Sequence, residues 1–338
     1  MDLMNGTTIQ NGTLGSSWVE HVLVPCCFLG ICFILGVPGN ALVIWTIIFH
    51  IKQKSFTVLL IFNLATADFM LLITLPIWIH ALADNWVYGL SFCKFLTYVI
   101  YFSMYASVFF ITLMSIERLM AVLFPFGTQK WMRKKVLYTL VSVIWFSSAL
   151  CSVPILVIRT TVEKSGRVQC SEREYFSRQQ QIAILLLETI FGFAVPFMIL
   201  LACYATVMFK IKHMTFTTRK KPEKLIAGIV IAFFICWFPY HVFNLLMVVS
   251  VALKSSGHGS TEHLDKIIKA GENIPGALAF FSSCVNPILY AFAAQSVRKG
   301  FQLSSFARLF RQISPSEDEK PTKESWSLEE KISKNISI

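Results

Sequence analysis

Seven separate stretches of this chain are long and apolar enough to cross a lipid bilayer, and that pattern leaves few folds open. A transmembrane helix needs about 20 mostly apolar residues, against about 10 for a barrel strand. The windows fall at roughly 21–48, 56–82, 91–123, 135–157, 180–209, 224–252 and 267–293. In hydrocarbon every backbone polar group must be satisfied inside the protein, so segments of this length are helices. The third and sixth windows carry isolated ionisable residues and rest on pattern as well as hydropathy. The expected fold is an all-α membrane protein: a seven-transmembrane helix bundle over 21–293 with a short amphipathic cytoplasmic helix over 294–313. An extracellular tail, 1–20, and a disordered cytoplasmic tail, 314–338, flank it. Composition agrees: 55% of residues are hydrophobic and 14% charged, whereas an ordinary soluble domain carries about 25% charged residues.

Orientation follows from Lys and Arg in the short connections. Lys52 and Lys54 follow the first window. Lys130, Arg133, Lys134 and Lys135 follow the third, and Lys210, Lys212, Arg219, Lys220, Lys221 and Lys224 follow the fifth, with Glu223 as the one acid among them. The residues before the first window hold no Lys or Arg. The N-terminus is therefore expected outside and the C-terminus inside, in a multi-pass plasma-membrane protein. Asn5 and Asn11 begin glycosylation sequons in that outer tail, and no cleavable signal precedes the first window. A formal charge of +11 would suggest nucleic acid for a soluble protein; here it reads as an inner-leaflet and orientation signal, with membrane lipids and no nucleic acid as partners.

Ionisable side chains at membrane depth are costly and mark function. Asp68 sits mid-way through the second window, where Asn40, Ser107 and Asn286 are placed to face it. That set reads both as polar glue between helices and as a sodium site, one carboxylate with neutral oxygens. Glu117 and Arg118 close the third window at its inner end. Pro239 breaks the sixth helix two residues beyond Trp237, with Phe233 one turn before it. Asn286, Pro287 and Tyr290 form a second proline break in the seventh.

Taken one per helix and in order, Gly39-Asn40, Asp68, Cys93, Glu117-Arg118, Trp145, Pro196, Trp237 with Pro239, and Asn286-Pro287-Ile288-Leu289-Tyr290 resemble the rhodopsin-like family of G-protein-coupled receptors over residues 20–311. The resemblance implies a Cys93–Cys170 disulfide and coupling to a heterotrimeric G protein through Arg118, with Glu117, Phe233, Pro239, Asn286, Pro287 and Tyr290 in activation. The remaining cysteines read as small buried hydrophobes within the spans. The family's acid-Arg-Tyr signature ends in Leu119 here, and the inner foot of helix six is basic, so the expected resting lock is the local Glu117–Arg118 pair. Phe306, Leu309, Phe310 and Ile313 recur at helical spacing with Arg308 and Arg311 on other faces, an interfacial helix. Ser314, Ser316, Thr322, Ser325, Ser327 and Ser333 follow as sites for receptor kinases and arrestin.

Ligand class narrows by elimination. Ile100 stands where amine receptors place an aspartate. The seventh helix has no lysine for a retinal Schiff base, and the outer tail lacks the cysteine and tyrosine usual in chemokine receptors. Polar residues at the outer ends of helices three to six are Thr97, Tyr105, Arg159, Glu188, His241 and Asn244, above Trp237. Arg159 suits a carboxylate, or snorkels to the interface. Glu188 suits a ligand hydroxyl or a basic neighbour.

The blocks Ser103-Met104-Tyr105-Ala106-Ser107-Val108, Ile158-Arg159-Thr160, Leu187-Glu188, Phe238 to Leu245 and Ala277 to Ser283 look like the leukotriene B4 receptors. That resemblance implies an acidic, dihydroxylated lipid ligand, with Tyr105, Arg159, Glu188 and Asn244 at matching pocket positions. It also implies an inhibitory-type G protein and leukocyte chemotaxis, with no cofactor beyond an allosteric sodium ion. Two positions depart from it: Thr97 replaces a histidine and Glu272 a basic residue, for which Lys266 or Lys269 are substitutes. The alternative within receptors is a peptide chemoattractant receptor of the formyl-peptide kind, because the outer loop 160–180 is long and mixed in charge. Enzyme and transporter readings find no zinc-ligand pair, no nucleophile with a base, no phosphate loop and no inverted repeat.

Overall fold

The computed structural model describes residues 22–51, 55–124, 134–164, 166–212, 220–256, 261–271 and 273–295. Asn5, Asn11, Glu272 and the segments 296–313 and 314–338 lie outside the described residues, as does the side chain of Tyr290.

Span one is helix α1 (Val24–His50), opened by a proline in its first turn where the missing N–H costs nothing. Span two is α2 (Phe56–Leu72) continued by α3 (Leu75–Ala83), interrupted at Ile73-Thr74 just before Pro76. The Ser55 hydroxyl caps α2 by accepting from the Val58 amide at 3.3 Å. Span three is α4 (Gly89–Leu123) and span four is α5 (Lys134–Ile158). Two antiparallel strands follow, β1 (Arg159–Lys164) and β2 (Arg167–Arg173). Span five is α6 (Arg178–Thr189), a π-turn over Ile190–Ala194, and α7 (Val195–Lys212). Span six is α8 (Lys220–Ser256). A short outer helix, α9 (Glu262–Gly271), leads to span seven, α10 (Asn273–Gln295).

Six of the described segments, spans one to six, meet the length and composition needed to cross a membrane. The helix α10 completes the bundle by packing against α8 on one side and α1 on the other. Contacts run α1–α2, α2–α4, α4–α5 and α4–α7, then α6–α8, α8–α10 and α10–α1, which closes a ring with span three inside it. The outer surface is apolar, as lipid requires: Ile34, Phe146, Met198 and Phe209 are all exposed. The interior is mixed. Phe110, Leu64, Phe233 and Trp237 are buried beside Asp68, Glu117, Glu188, His241 and Asn244.

Spans one, two and seven approach closely because Gly36 and Gly39 carry no side chain. A Cβ on Gly39 would lie 2.8 Å from Cβ of Pro287, and one on Gly36 would lie 2.9 Å from Cβ of Cys284.

The π-turn in span five has a local cause. Pro196 has no N–H, and in a regular α-helix its ring meets the carbonyl four residues earlier, at Gly192. Widening the turn just before it relieves that clash, as single π-turns do.

Two features differ from expectation. The outer loop is a β-hairpin: β-branched Thr160, Thr161 and Val162 favour extension, and Gly166 (φ 75°) takes the turn. The cysteines are not uniformly buried, for Cys27 is exposed and Cys26 and Cys151 are half-buried. A thiol is apolar enough to face lipid as readily as a helix neighbour.

Candidate functional site

The hairpin is pinned to the outer end of span three by a disulfide between Cys93 and Cys170, whose Cα atoms are 5.8 Å apart. Thr97 lies one turn below and spends its hydroxyl on the Cys93 carbonyl at 2.8 Å. Three residues past Cys170, at the open end of the hairpin, Arg159 and Arg173 are cross-strand partners. Like charges opposite one another in a sheet repel, so each guanidinium needs a separate acceptor. Arg159 donates to the Cys170 carbonyl at 2.6 Å. Arg173 turns into the bundle.

There it meets Glu188, held at the inner end of α6. Nη1 of Arg173 donates to Oε1 and Oε2 of Glu188, both at 3.3 Å. Its Nη2 donates to the Tyr240 hydroxyl at 3.0 Å and to the Tyr101 hydroxyl. Tyr240 donates in turn to Oε2 of Glu188 at 2.9 Å, and the Asn244 amide donates to the same oxygen at 3.2 Å. One carboxylate thus collects donors from the outer loop and from span six, while Arg173 bridges spans three, five and six. Burial alone would lower the affinity of Arg173 for its proton, but the adjacent Glu188 carboxylate and the Tyr101 oxygen outweigh it and raise the pKa. The guanidinium stays charged.

Beneath this network lies an apolar floor. His241 is buried and stacks on Phe193 with ring centroids 4.9 Å apart. Neither of its ring nitrogens has a hydrogen-bond partner among the described residues. Gly192 leaves room beside it: a Cβ there would come within 3.5 Å of both His241 and Tyr105. Trp237 closes the floor, its indole N–H donating to Ser282 at 3.1 Å, and Phe233 packs one turn below it.

A second polar cluster sits at the middle of the bundle. Asp68 is fully buried. Ser107 and Ser283 donate to its Oδ1 at 2.9 and 2.8 Å, and Asn286 donates to Oδ2 at 2.7 Å. Asn40 does not reach Asp68; its amide donates to the carbonyls of Gly36 and Ser283, and its Oδ1 is buried without a partner among the described residues. At the inner end Arg118 pairs with Glu117 at 3.3 Å. Thr57 joins them, donating to Glu117 and accepting from Arg118, each at 3.1 Å. Pro239 and Pro287 lie within α8 and α10 as expected.

The structure therefore gathers Glu188 and Asn244 into one group, sets Tyr105 and His241 together beside Gly192 beneath it, and leaves Thr97 at the Cys93–Cys170 disulfide and Arg159 on the hairpin. Sequence reasoning missed Arg173, Tyr101 and Tyr240 as members. Lys266 and Lys269, the expected substitutes for a pocket base, are exposed on α9, and Lys266 is engaged with Glu262 at 2.7 Å.

A ring of seven helices with a loop-capped polar group at its outer end, a mid-membrane carboxylate and an Arg at the inner end defines a seven-helix membrane receptor. The sequence profile of the 7 transmembrane receptor (rhodopsin family) matches residues 39–290. Human leukotriene B4 receptor 1 is 34% identical over 305 residues, covering 89% of this chain and 86% of that protein. Human chemerin-like receptor 1 is 32% identical over 315 residues, covering 88% and 81%, and mouse chemerin-like receptor 2 is 32% identical over 280 residues, covering 81% and 76%. The chain belongs to the rhodopsin family of seven-transmembrane receptors. It is a multi-pass plasma-membrane receptor and not an enzyme, of a family that binds small ligands and couples to G proteins.

Proposed function

We propose that this receptor recognises an acidic lipid mediator, leukotriene B4 or a related oxylipin, at its outer pocket. The observation that carries the reading is Arg173 bound to Glu188. It is a cation delivered by a loop between the helices, bonded there to two tyrosines, with Arg159 opposite it on the hairpin. A ligand carboxylate pairs with the guanidinium groups, and ligand hydroxyls replace Tyr240 and Asn244 on Glu188. The aliphatic chain lies on the Phe193, Trp237 and Tyr105 floor, where His241 offers a nitrogen to any further hydroxyl.

Binding that favours one arrangement of the Arg173–Glu188–Tyr240 group shifts the population toward an outward swing of span six about Pro239. That motion frees Arg118 from Glu117 and Thr57 for a G protein of the inhibitory type, with kinases and arrestin acting on the tail. In this reading the N-terminus, with Asn5 and Asn11 glycosylated, faces outside and the C-terminus inside. Asp68, Ser107, Ser283 and Asn286 supply hard oxygen ligands fitting an allosteric sodium ion, and the unpartnered Asn40 oxygen adds one nearby. A bound ion would supply the countercharge that Asp68 lacks among the described residues.

The test is G-protein activation by the full-length receptor against a panel of oxylipins and the ligands of chemerin-like receptors. A response confined to the latter overturns the lipid reading. Arg173→Ala is expected to weaken an acidic lipid by about 30-fold or more, the loss of about 2 kcal/mol from one truncated charge pair. The methyl ester of that lipid, already without its charge, should bind wild type and Arg173→Ala with similar affinity.

A further inference from the structure

Between the inner halves of spans five and six lies a cleft of about 190 Å³, open on one side toward lipid. Phe197, Leu200, Leu201 and Tyr204 line one wall at helical spacing, and Val230, Ile231 and Phe234 line the other. Leu201, Tyr204 and Ile231 are exposed at its mouth, whereas Leu200 is buried at its back. The volume is smaller than that of a drug-sized site, about 300–1,000 Å³, and leaves room for a slender chain rather than a compact ligand. The lining is apolar apart from the Tyr204 hydroxyl.

We propose that this cleft holds an acyl chain of an anionic phospholipid from the leaflet next to the basic loops, and that its occupancy biases the receptor's conformation. Three observations support the assignment. The cleft opens sideways, where hydrocarbon is the solvent, and is about 10 Å tall from Phe197 to Tyr204 at 1.5 Å per residue. Charge lies at the correct end: Lys210 is exposed six residues beyond Tyr204, about 9 Å below the cleft. An acidic headgroup on Lys210 places its chain at the opening. Thirdly, the ceiling of the cleft is the floor of the outer pocket. Phe193, within the π-turn, stacks on Phe197 at 5.4 Å and on Phe234 at 6.0 Å, and on its other side contacts His241 at 4.9 Å. Phe197 and Phe234 stack directly at 4.7 Å. A chain wedged against Phe197 and Phe234 therefore acts on the aromatic group that lines the pocket. Because span six moves against span five in the proposed signalling motion, the chain binds the open and closed arrangements unequally. This regulatory half rests on that motion; lipid occupancy does not.

The experiment uses the full-length receptor in vesicles of phosphatidylcholine alone or mixed with phosphatidylserine. Phosphatidylserine retained on the purified protein is read by native mass spectrometry, and ligand-free nucleotide exchange on a G protein is read in parallel. Wild type should retain phosphatidylserine over phosphatidylcholine, and L201W with I231W, which fill the mouth from the lipid side, should cut retention about tenfold. K210A should abolish the headgroup preference while leaving phosphatidylcholine retention intact. Exchange by wild type should differ between the two membranes and that of L201W/I231W should not. Unchanged retention in L201W/I231W overturns the site, provided the variant unfolds at the wild-type temperature. If the filled variant fails to fold, L201A/I231A, which strip the mouth of its contacts with the chain, should also lower retention, and unchanged retention there overturns the site equally. Displacement of phosphatidylserine by a neutral sterol, with no effect of K210A, overturns the anionic-lipid assignment. Altered retention with identical exchange overturns regulation alone, and is distinguishable from failure of the oxylipin reading because no oxylipin is present.

Discussion

The two polar clusters inside the bundle solve the burial of a carboxylate in opposite ways. At Glu188 a full countercharge arrives from outside the helices, on a hairpin, with two tyrosines and an asparagine completing the network. At Asp68 the three hydrogen-bond partners among the described residues are neutral donors that belong to spans three and seven. A carboxylate paired with a side-chain cation exchanges partners when an acidic ligand arrives; a carboxylate with only neutral donors retains an unmet demand for positive charge. The outer cluster is thus suited to reading a ligand and the inner one to reading a mobile cation.

Breaking the outer cluster should have the largest effect. Glu188→Ala leaves Arg173 buried without its carboxylate and should cost about 3 kcal/mol of ligand-free stability. In thermal unfolding, a saturating acidic lipid should restore part of the loss by mass action. If the ligand restores none, Arg173 is not its partner.

The inner cluster depends on backbone proximity, so Gly39→Ala comes next. Its Cβ meets the Pro287 ring, which cannot rotate away, and overpacking should cost about 2 kcal/mol. A variant of wild-type stability would show that spans one and seven part easily. Asp68→Asn should change stability least, by about 1 kcal/mol, because an amide can keep most of the neutral bonds. It should, however, abolish any dependence of agonist affinity on sodium concentration. Equal sodium dependence in wild type and Asp68→Asn would separate the ion from this cluster and erase the contrast.

How much of this was legible in the sequence follows the same division. The spans are legible because hydrocarbon selects for long apolar runs, and Asp68, Glu188 and Asn244 stand out because polar groups at that depth are rare. Arg173 does not stand out. It lies in a loop where charge is ordinary, and only the hairpin pairing and the Cys93 anchor bring it to the carboxylate. Tyr101 and Tyr240 read as two more aromatics in a chain with 30 phenylalanines, since a phenol looks apolar until its oxygen's neighbour is known. Asn40 misled in the other direction. Its residue type suited the Asp68 group, but the rotation of span one points its amide at the carbonyl of Ser283.

The π-turn has a consequence for how the chain tolerates insertions and deletions. It carries one residue more than a regular helix needs over Ile190–Ala194. Deleting a single residue there would turn the π-turn into an ordinary α-turn, so the loss is absorbed locally and α6 keeps nearly its angle to α7. The same deletion within the regular turns of α7 has no such reserve and would rotate one side of span five by about 100° against the other, taking Glu188 away from Tyr240 and Asn244 or the inner end away from its neighbours. This one turn is therefore the place in span five where chain length can change while the part that meets the ligand and the part that meets the signalling machinery keep their angular register.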